Sequence, residues 1–425
     1  MIVKMEKLVV IGGNRLSGNV KISGAKNAVL PIMAATLLAD GEFRIRNVPV
    51  LRDVRTMSRL LNYIGAEVTR NDHELHIDTK GCKSMVAPYD LVKTMRASIY
   101  VLGPLVSRFG YARVSLPGGC AWGPRPVDFH IENIKKMGAD VRIESGYIVA
   151  RAKKLSGAHI LFDIPSVGAT GNCLMAATLA RGTTVIENAA KEPEITSLIE
   201  FLQSMGAKID GKGTEHLEIE GVELLRPAEF TIIPDRIEAG TFLTAGCITG
   251  GNIRLEGANP THLNTIIEKL RDAGAEIDYG KEWISIKSDG KIRPVNVTTA
   301  VYPGFPTDMQ AQWMSLMSIA DGSSIITDTI FHDRFTHVAE LRRMGADITL
   351  DNNVAVIKGR PTLSGAPVMS TDLRASASLI LAGLVAEGRT DISRVYHIDR
   401  GYERIEEKLS KLGAEIWRDE EELIT

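Results

Sequence analysis

The chain has 425 residues, 44% of them hydrophobic and 24% charged, and a net charge of −2. Such a length exceeds one ordinary core, so two or three globular domains are expected. The near-neutral balance excludes a global field for nucleic acid or for an anionic membrane, and any anion recognition must be local.

At the N-terminus the apolar run 8–11 is too short for the core of a signal peptide, and no run in the chain approaches a membrane span. A cytoplasmic chain is expected. Gly12-Gly13 follows a strand-like stretch, but another strand-like stretch comes next where a dinucleotide-binding loop would open a helix, so that reading is rejected. Residues 23–31 form a small-residue turn into an apolar helix, with Lys26 and Asn27 at the entry. Backbone N–H groups at a helix start favour anions, whereas a cation there opposes the helix dipole. Similar entries carry Arg96 (94–98), Ser166 with Val167 and Gly168 (166–170), Asp308 (307–310), and Asp372 with Arg374 (371–376). Capping accounts for Ser166 and Asp372. Lys26, Arg96 and Arg374 are harder to explain without a bound phosphate or carboxylate to offset the dipole.

Between a strand ending near Ser115 and a helix carrying His130 lies a loop, 117–126, with three glycines and three prolines around Cys120 and Arg125. It can continue neither neighbour and reads as an exposed functional loop. Cys82, Cys120, Cys173 and Cys247 show no paired spacing, and no His-rich motif occurs, so neither a metal nor a redox cofactor is expected. Cys173 and Cys247 read as core and Cys82 as an inert turn residue. Asp308 follows a rigid loop, 302–307; it serves either as a helix cap or as a general base toward a hydroxyl. His397, Asp399 and Arg400 precede the last helix.

A repeat organises the chain. A helix end followed by Gly-Ala and a strand recurs at Gly65, Gly138, Gly206, Gly274, Gly345 and Gly413, at spacings of 73, 68, 68, 71 and 68. A small-residue helix, turn and strand recur in phase with it. Each unit therefore reads as helix, turn, strand, loop, second helix, Gly-Ala cap and strand, with a left-handed cap at each glycine. Six α/β units divide into two domains of three. The strand-to-helix loops carry Arg52, Arg125, Lys191, Arg334 and Arg400, a recurrence that favours a shared anion site.

Seven stretches, 23–28, 94–98, 116–128, 166–170, 305–311, 371–377 and 397–404, resemble in order the UDP-N-acetylglucosamine enolpyruvyl transferase family over essentially the whole chain. The resemblance implies an α/β fold of two inside-out, barrel-like domains of three repeats, with the active site in the cleft between them. One domain would comprise 26–233 and the other 1–25 with 234–425. It implies transfer of the enolpyruvyl group of phosphoenolpyruvate to the 3′-hydroxyl of UDP-N-acetylglucosamine through a tetrahedral ketal, releasing phosphate, as the first committed step toward peptidoglycan. The two small molecules would be the partners. In the family pattern Lys26, Arg125 and Arg400 clamp phosphoenolpyruvate, with Arg96 and Arg374 nearby. Asp308 matches the base, and Cys120 the proton donor, which can also form an adduct. Asn27, Arg125, Pro126, Val127, Asp128, His130, Ser166, Val167, Gly168 and Asp308 match positions contacting the sugar nucleotide. Arg334, Asp372 and His397 match polar cleft residues. Pro165 departs from the pattern, standing where many relatives carry lysine. Closure of the two domains over substrate, with the Cys120 loop as lid, would exclude water.

Three other readings compete. Transfer to another acceptor, such as shikimate 3-phosphate, is disfavoured by the Gly-Gly-Cys loop. A non-catalytic sugar-nucleotide-binding paralogue is disfavoured by the intact set Lys26, Cys120, Asp308 and Arg400. A cysteine hydrolase lacks a supporting His/Asn arrangement.

Overall fold

The computed structural model describes residues 2–116 and 127–424. Cys120, Arg125 and Pro126 lie outside them. The chain divides into two compact units, Gly24–Ile233 and a second formed by Met1–Ser23 with Pro234–Thr425.

In Gly24–Ile233 the helices fall into two kinds. Lys26–Ala35, Leu102–Phe109 and Val167–Ala177 are rich in small and apolar residues and are buried on nearly every side. Helices apolar all round belong in a core rather than on a surface. Arg52–Ile64, Asp128–Lys136 and Pro193–Ser204 are the second helices of their repeats; the first of them is strongly amphipathic, burying Val54, Met57, Leu60, Leu61 and Ile64. Three four-stranded sheets complete the unit. In the first, Glu229–Thr231 runs parallel to Glu42–Arg46, which pairs antiparallel with Glu74–Asp78, and that in turn with Glu67–Asn71. Alternation places Phe43 and Ile45 inward and leaves Glu42 and Arg44 exposed. The sheets around Tyr111–Ser115 and Thr183–Glu187 repeat that order and those directions.

The second unit is built by the same rule. Arg236–Ile248, Gln310–Met317 and Leu373–Val385 are its buried helices and pack on one another. Its three main sheets have the same strand order. Two of them borrow a strand from the N-terminus: Ser17–Lys21 is the parallel edge beside Asn252–Glu256, and Ile2–Ile11 pairs with Arg389–Ser393 and Glu415–Ile424. The N-terminal residues therefore complete the second unit's sheets.

All six Gly-Ala glycines adopt positive φ, from 93° to 111°, as a left-handed helix cap requires. Each four-stranded sheet also contains a parallel edge and, in five of the six, a return strand after a hairpin, neither of which belongs to the repeat as read from the sequence; in the last sheet Ile2–Ile11 takes the place of the return strand. Three of the hairpins turn at Asp72, at Ser145-Gly146 and at Asn352, all with positive φ. Among the described residues no helix is long and apolar enough to cross a membrane.

Candidate functional site

In Gly24–Ile233, Lys26 is the first residue of its helix and is 8% exposed. Its Nζ lies 2.8 Å from Asp53 Oδ2, in the first turn of the Arg52–Ile64 helix. The cost of a cation at a helix start is thus met in part by a carboxylate of the chain itself. The sequence reading did not single out Asp53. Asn27 follows, partly exposed.

A second cluster surrounds His130. Val127 stands immediately before the Asp128–Lys136 helix, Asp128 is exposed on it, and His130 is buried. The ring of His130 lies against Gly168, where a Cβ would come within 3.4 Å of Cε1 and Nε2. Ser166 caps the Val167–Ala177 helix by accepting from the Ala169 N–H at 3.3 Å. Burial pushes the His130 imidazole down to about 4, and the charge of Arg96 acts in the same direction, so Arg96 is within electrostatic reach of the ring. His130 is therefore neutral near pH 7.

The other unit holds the carboxylate cluster. Asp308 lies in the short helix Thr307–Met309, preceded by Pro306, and its side chain pairs with two arginines instead of capping. Arg334 Nη2 is 2.9 Å from Oδ1 and Arg374 Nη2 is 2.8 Å from Oδ2. Burial alone would raise the Asp308 carboxyl, but Arg374 and Arg334 outweigh it and hold the group well below the usual carboxylate range. Asp372 caps the next helix, accepting from the N–H groups of Arg374 and Ala375. The Arg374 guanidinium lies over the Tyr402 ring at 5.5 Å and is 2% exposed. Its Nε and Nη1 are buried and meet no hydrogen-bond acceptor among the described residues.

Buried Asp328, which sequence reasoning missed, organises this cluster. It accepts from the Thr299 hydroxyl and the Ile330 and Phe331 N–H groups through Oδ1, and from Thr307 through Oδ2, at 2.8–2.9 Å. Thr307 Oγ in turn accepts from Arg334 Nη1 at 3.1 Å. His397 and Arg400 belong to the 3₁₀ segment Val395–Arg400, with His397 packed on Tyr396 at 4.3 Å. Asp399 is held in an ion pair with Arg418. Lys191 is engaged with Glu215. The structure thus joins Asp308, Arg334, Arg374 and Asp372 in one cluster, and His130, Gly168 and Arg96 in another. No described group of His, Cys, Asp or Glu is arranged to hold a metal ion.

Residues 10–409 match the family model for EPSP synthase (3-phosphoshikimate 1-carboxyvinyltransferase). The chain belongs to the EPSP synthase family. Within it, a UDP-N-acetylglucosamine 1-carboxyvinyltransferase from Chloroherpeton thalassium is 58% identical over 417 residues, covering 97% of each chain. A protein of the same name from Desulfosudis oleivorans is 55% identical over 97% of this chain and 99% of its own. Among solved structures, the enolpyruvyl transferase NikO from Streptomyces tendae superposes with a TM-score of 0.90 at 29% identity, covering 99% of this chain and 100% of NikO. EPSP synthase from Acinetobacter baumannii, 19% identical, has a TM-score of 0.73 over 97% of this chain and 100% of its own, and shares the fold.

Proposed function

We propose that this chain transfers the enolpyruvyl group of phosphoenolpyruvate to the 3′-hydroxyl of UDP-N-acetylglucosamine, with release of phosphate. The observation that carries this reading is identity above one half, over nearly the full length of both chains, to proteins named for that reaction. In the first half of the reaction the acceptor oxygen bonds to C2 of phosphoenolpyruvate while the methylene carbon gains a proton. In the second, the C2–O bond to phosphate breaks and the methyl carbon loses a proton, restoring the double bond.

In this reading Asp308 takes the hydroxyl proton and Cys120 supplies the proton to carbon. Lys26, Arg125 and Arg400, with Arg96 and Arg374, hold the phosphate and carboxylate. Asn27, Pro126, Val127, Asp128, His130, Ser166, Val167 and Gly168 receive the sugar nucleotide, with Arg334, Asp372 and His397 lining the site. Asp308, ionised between two guanidiniums, is a carboxylate of low basicity. Base work therefore requires one of those bonds to be surrendered as the substrates' anions engage the arginines. A proton acceptor so positioned contributes about 10²–10⁴-fold. Free thiols at Cys82, Cys173 and Cys247 fit a reducing compartment, and the reading includes a cytoplasmic site of action.

The test is product formation. Mass spectrometry of UDP-N-acetylglucosamine incubated with phosphoenolpyruvate and the chain should show the sugar nucleotide gaining one enolpyruvyl group. Conversion of shikimate 3-phosphate instead would replace the acceptor, and no conversion of either by folded protein would remove the enzymatic reading.

A further inference from the structure

Asn172 sits one turn beyond Gly168 on the Val167–Ala177 helix and is 1% exposed. Three hydrogen bonds fix its amide. Oδ1 accepts from the Gly103 N–H at 2.7 Å, and Nδ2 donates to the Ile99 carbonyl at 2.8 Å. A backbone N–H can only donate and a carbonyl can only accept, so these two partners decide which end of the amide is oxygen. The remaining Nδ2 hydrogen points at His130 Nδ1, 2.9 Å away. A Cβ on residue 103 would lie 2.5 Å from the Asn172 carbonyl oxygen and 2.6 Å from Oδ1, so only glycine leaves room for the amide there.

Nδ1 of His130 must therefore accept, and the ring proton belongs on Nε2. Protonating Nδ1 would set N–H against N–H. The Nε2 edge is the edge packed against Gly168, in the first turn of the helix that Ser166 caps.

We infer that Asn172 is a positioning residue that locks His130 as the neutral Nε2–H tautomer, so that the first turn of this helix meets the acceptor substrate with a hydrogen-bond donor instead of a second cation beside Arg96. The inference rests on the reading of His130 as a sugar-nucleotide contact. The tautomer itself does not depend on that reading. A neutral donor suits a carbonyl or phosphoryl oxygen of the uridine diphosphate moiety, and it spares the site a buried imidazolium near Arg96.

The experiment uses the full chain with ¹⁵N-labelled histidine, His130 being assigned by its loss in His130→Gln. At pH 7 the wild-type spectrum should show His130 with Nε2 protonated and Nδ1 bare. Asn172→Asp keeps the acceptor for Gly103 and turns the His130-facing group into an acceptor, so the proton should move to Nδ1. The KM for UDP-N-acetylglucosamine should then rise about 10-fold, the loss of one hydrogen bond, with the KM for phosphoenolpyruvate changed less than about 2-fold. In a His130→Gln background, where the glutamine amide supplies the donor, Asn172→Asp should cost less than it does in wild type. An Nδ1–H tautomer or an imidazolium in the wild-type spectrum would overturn the inference even if Asn172→Asp does not fold. Equal KM increases for both substrates would also overturn it. Absence of any turnover with this acceptor, alongside the expected tautomer, would instead count against the functional reading.

Discussion

Asp308→Asn isolates the charge at the centre of the second unit's cluster, because the side chain keeps its shape and loses its negative charge. Arg374 is 2% exposed and Arg334 8%, so neither guanidinium can recover hydration in place. Removing one partner of a buried ion pair costs about 3–5 kcal/mol. The Asp308 side chain retains 26% of its surface, and that partial solvation lowers the expectation to about 2–4 kcal/mol. For a unit of this size the melting temperature should fall by roughly 5–15 °C. Two guanidiniums without a counter-charge should also capture an anion, so phosphate should recover part of the loss in the variant and raise the wild type less. Calorimetry in a buffer poor in multivalent anions, with and without phosphate, reads both effects. A variant melting within about 1 °C of wild type, with no added response to phosphate, would refute the claim that Asp308 neutralises these arginines.

Three further outcomes follow from the same geometry. His337 is buried and pushed down to about 3, chiefly by burial and then by Arg334, and His130 to about 4, from an ordinary 6.5. The folded chain then binds fewer protons than the unfolded one below about pH 6.5, so stability is complete above that pH and declines as pH falls, by up to about 1.4 kcal/mol per pH unit for each histidine. Urea melts at pH 7 and pH 5 should show the decline, and it should be smaller in His337→Gln; a flat profile contradicts the burial argument. Burial pushes the thiol of Cys82 up to about 11 and those of Cys173 and Cys247 to about 12, so iodoacetamide near pH 7.5 should label Cys120 first, and a fast thiol persisting in Cys120→Ser would contradict this. Gly138→Ala meets no atom within 4 Å and should cost about 1–2 kcal/mol for its φ alone, whereas Gly65→Ala also sets a Cβ 2.4 Å from the Gly81 carbonyl and should cost measurably more in urea unfolding; equal costs would show that the cap, not the packing, decides.

The repeat was legible because a left-handed cap admits few residues, and the same glycine therefore marks each of the six helix ends. The return strands were harder to see. Glu74–Asp78 and Val354–Lys358 follow their partners through short hairpins turning at Asp72 and Asn352, without the glycine-bearing turn that announces a hairpin. The parallel edges Val86–Ala87 and Val297–Thr298 are only two residues long, below any periodic signal. Lys26, Asp308 and Arg374 stood out from their positions at helix entries, but their partners did not. Asp53 lies 27 positions from Lys26, in the second helix of the same repeat, and Arg374 lies 66 from Asp308, in the next repeat, separations that only tertiary packing brings together. Asp328 and Asn172 are buried polar residues whose importance lies in the distant backbone and side-chain groups they bond, which no local pattern records.

The measurement that tests the account most directly is phosphate release from phosphoenolpyruvate, by wild type and by Cys120→Ala, with and without UDP-N-acetylglucosamine. The account predicts release only when the sugar nucleotide is present, and a loss of about 10²-fold or more in the variant. Folded wild-type protein that releases no phosphate with that acceptor, or releases it equally well with shikimate 3-phosphate, would contradict it.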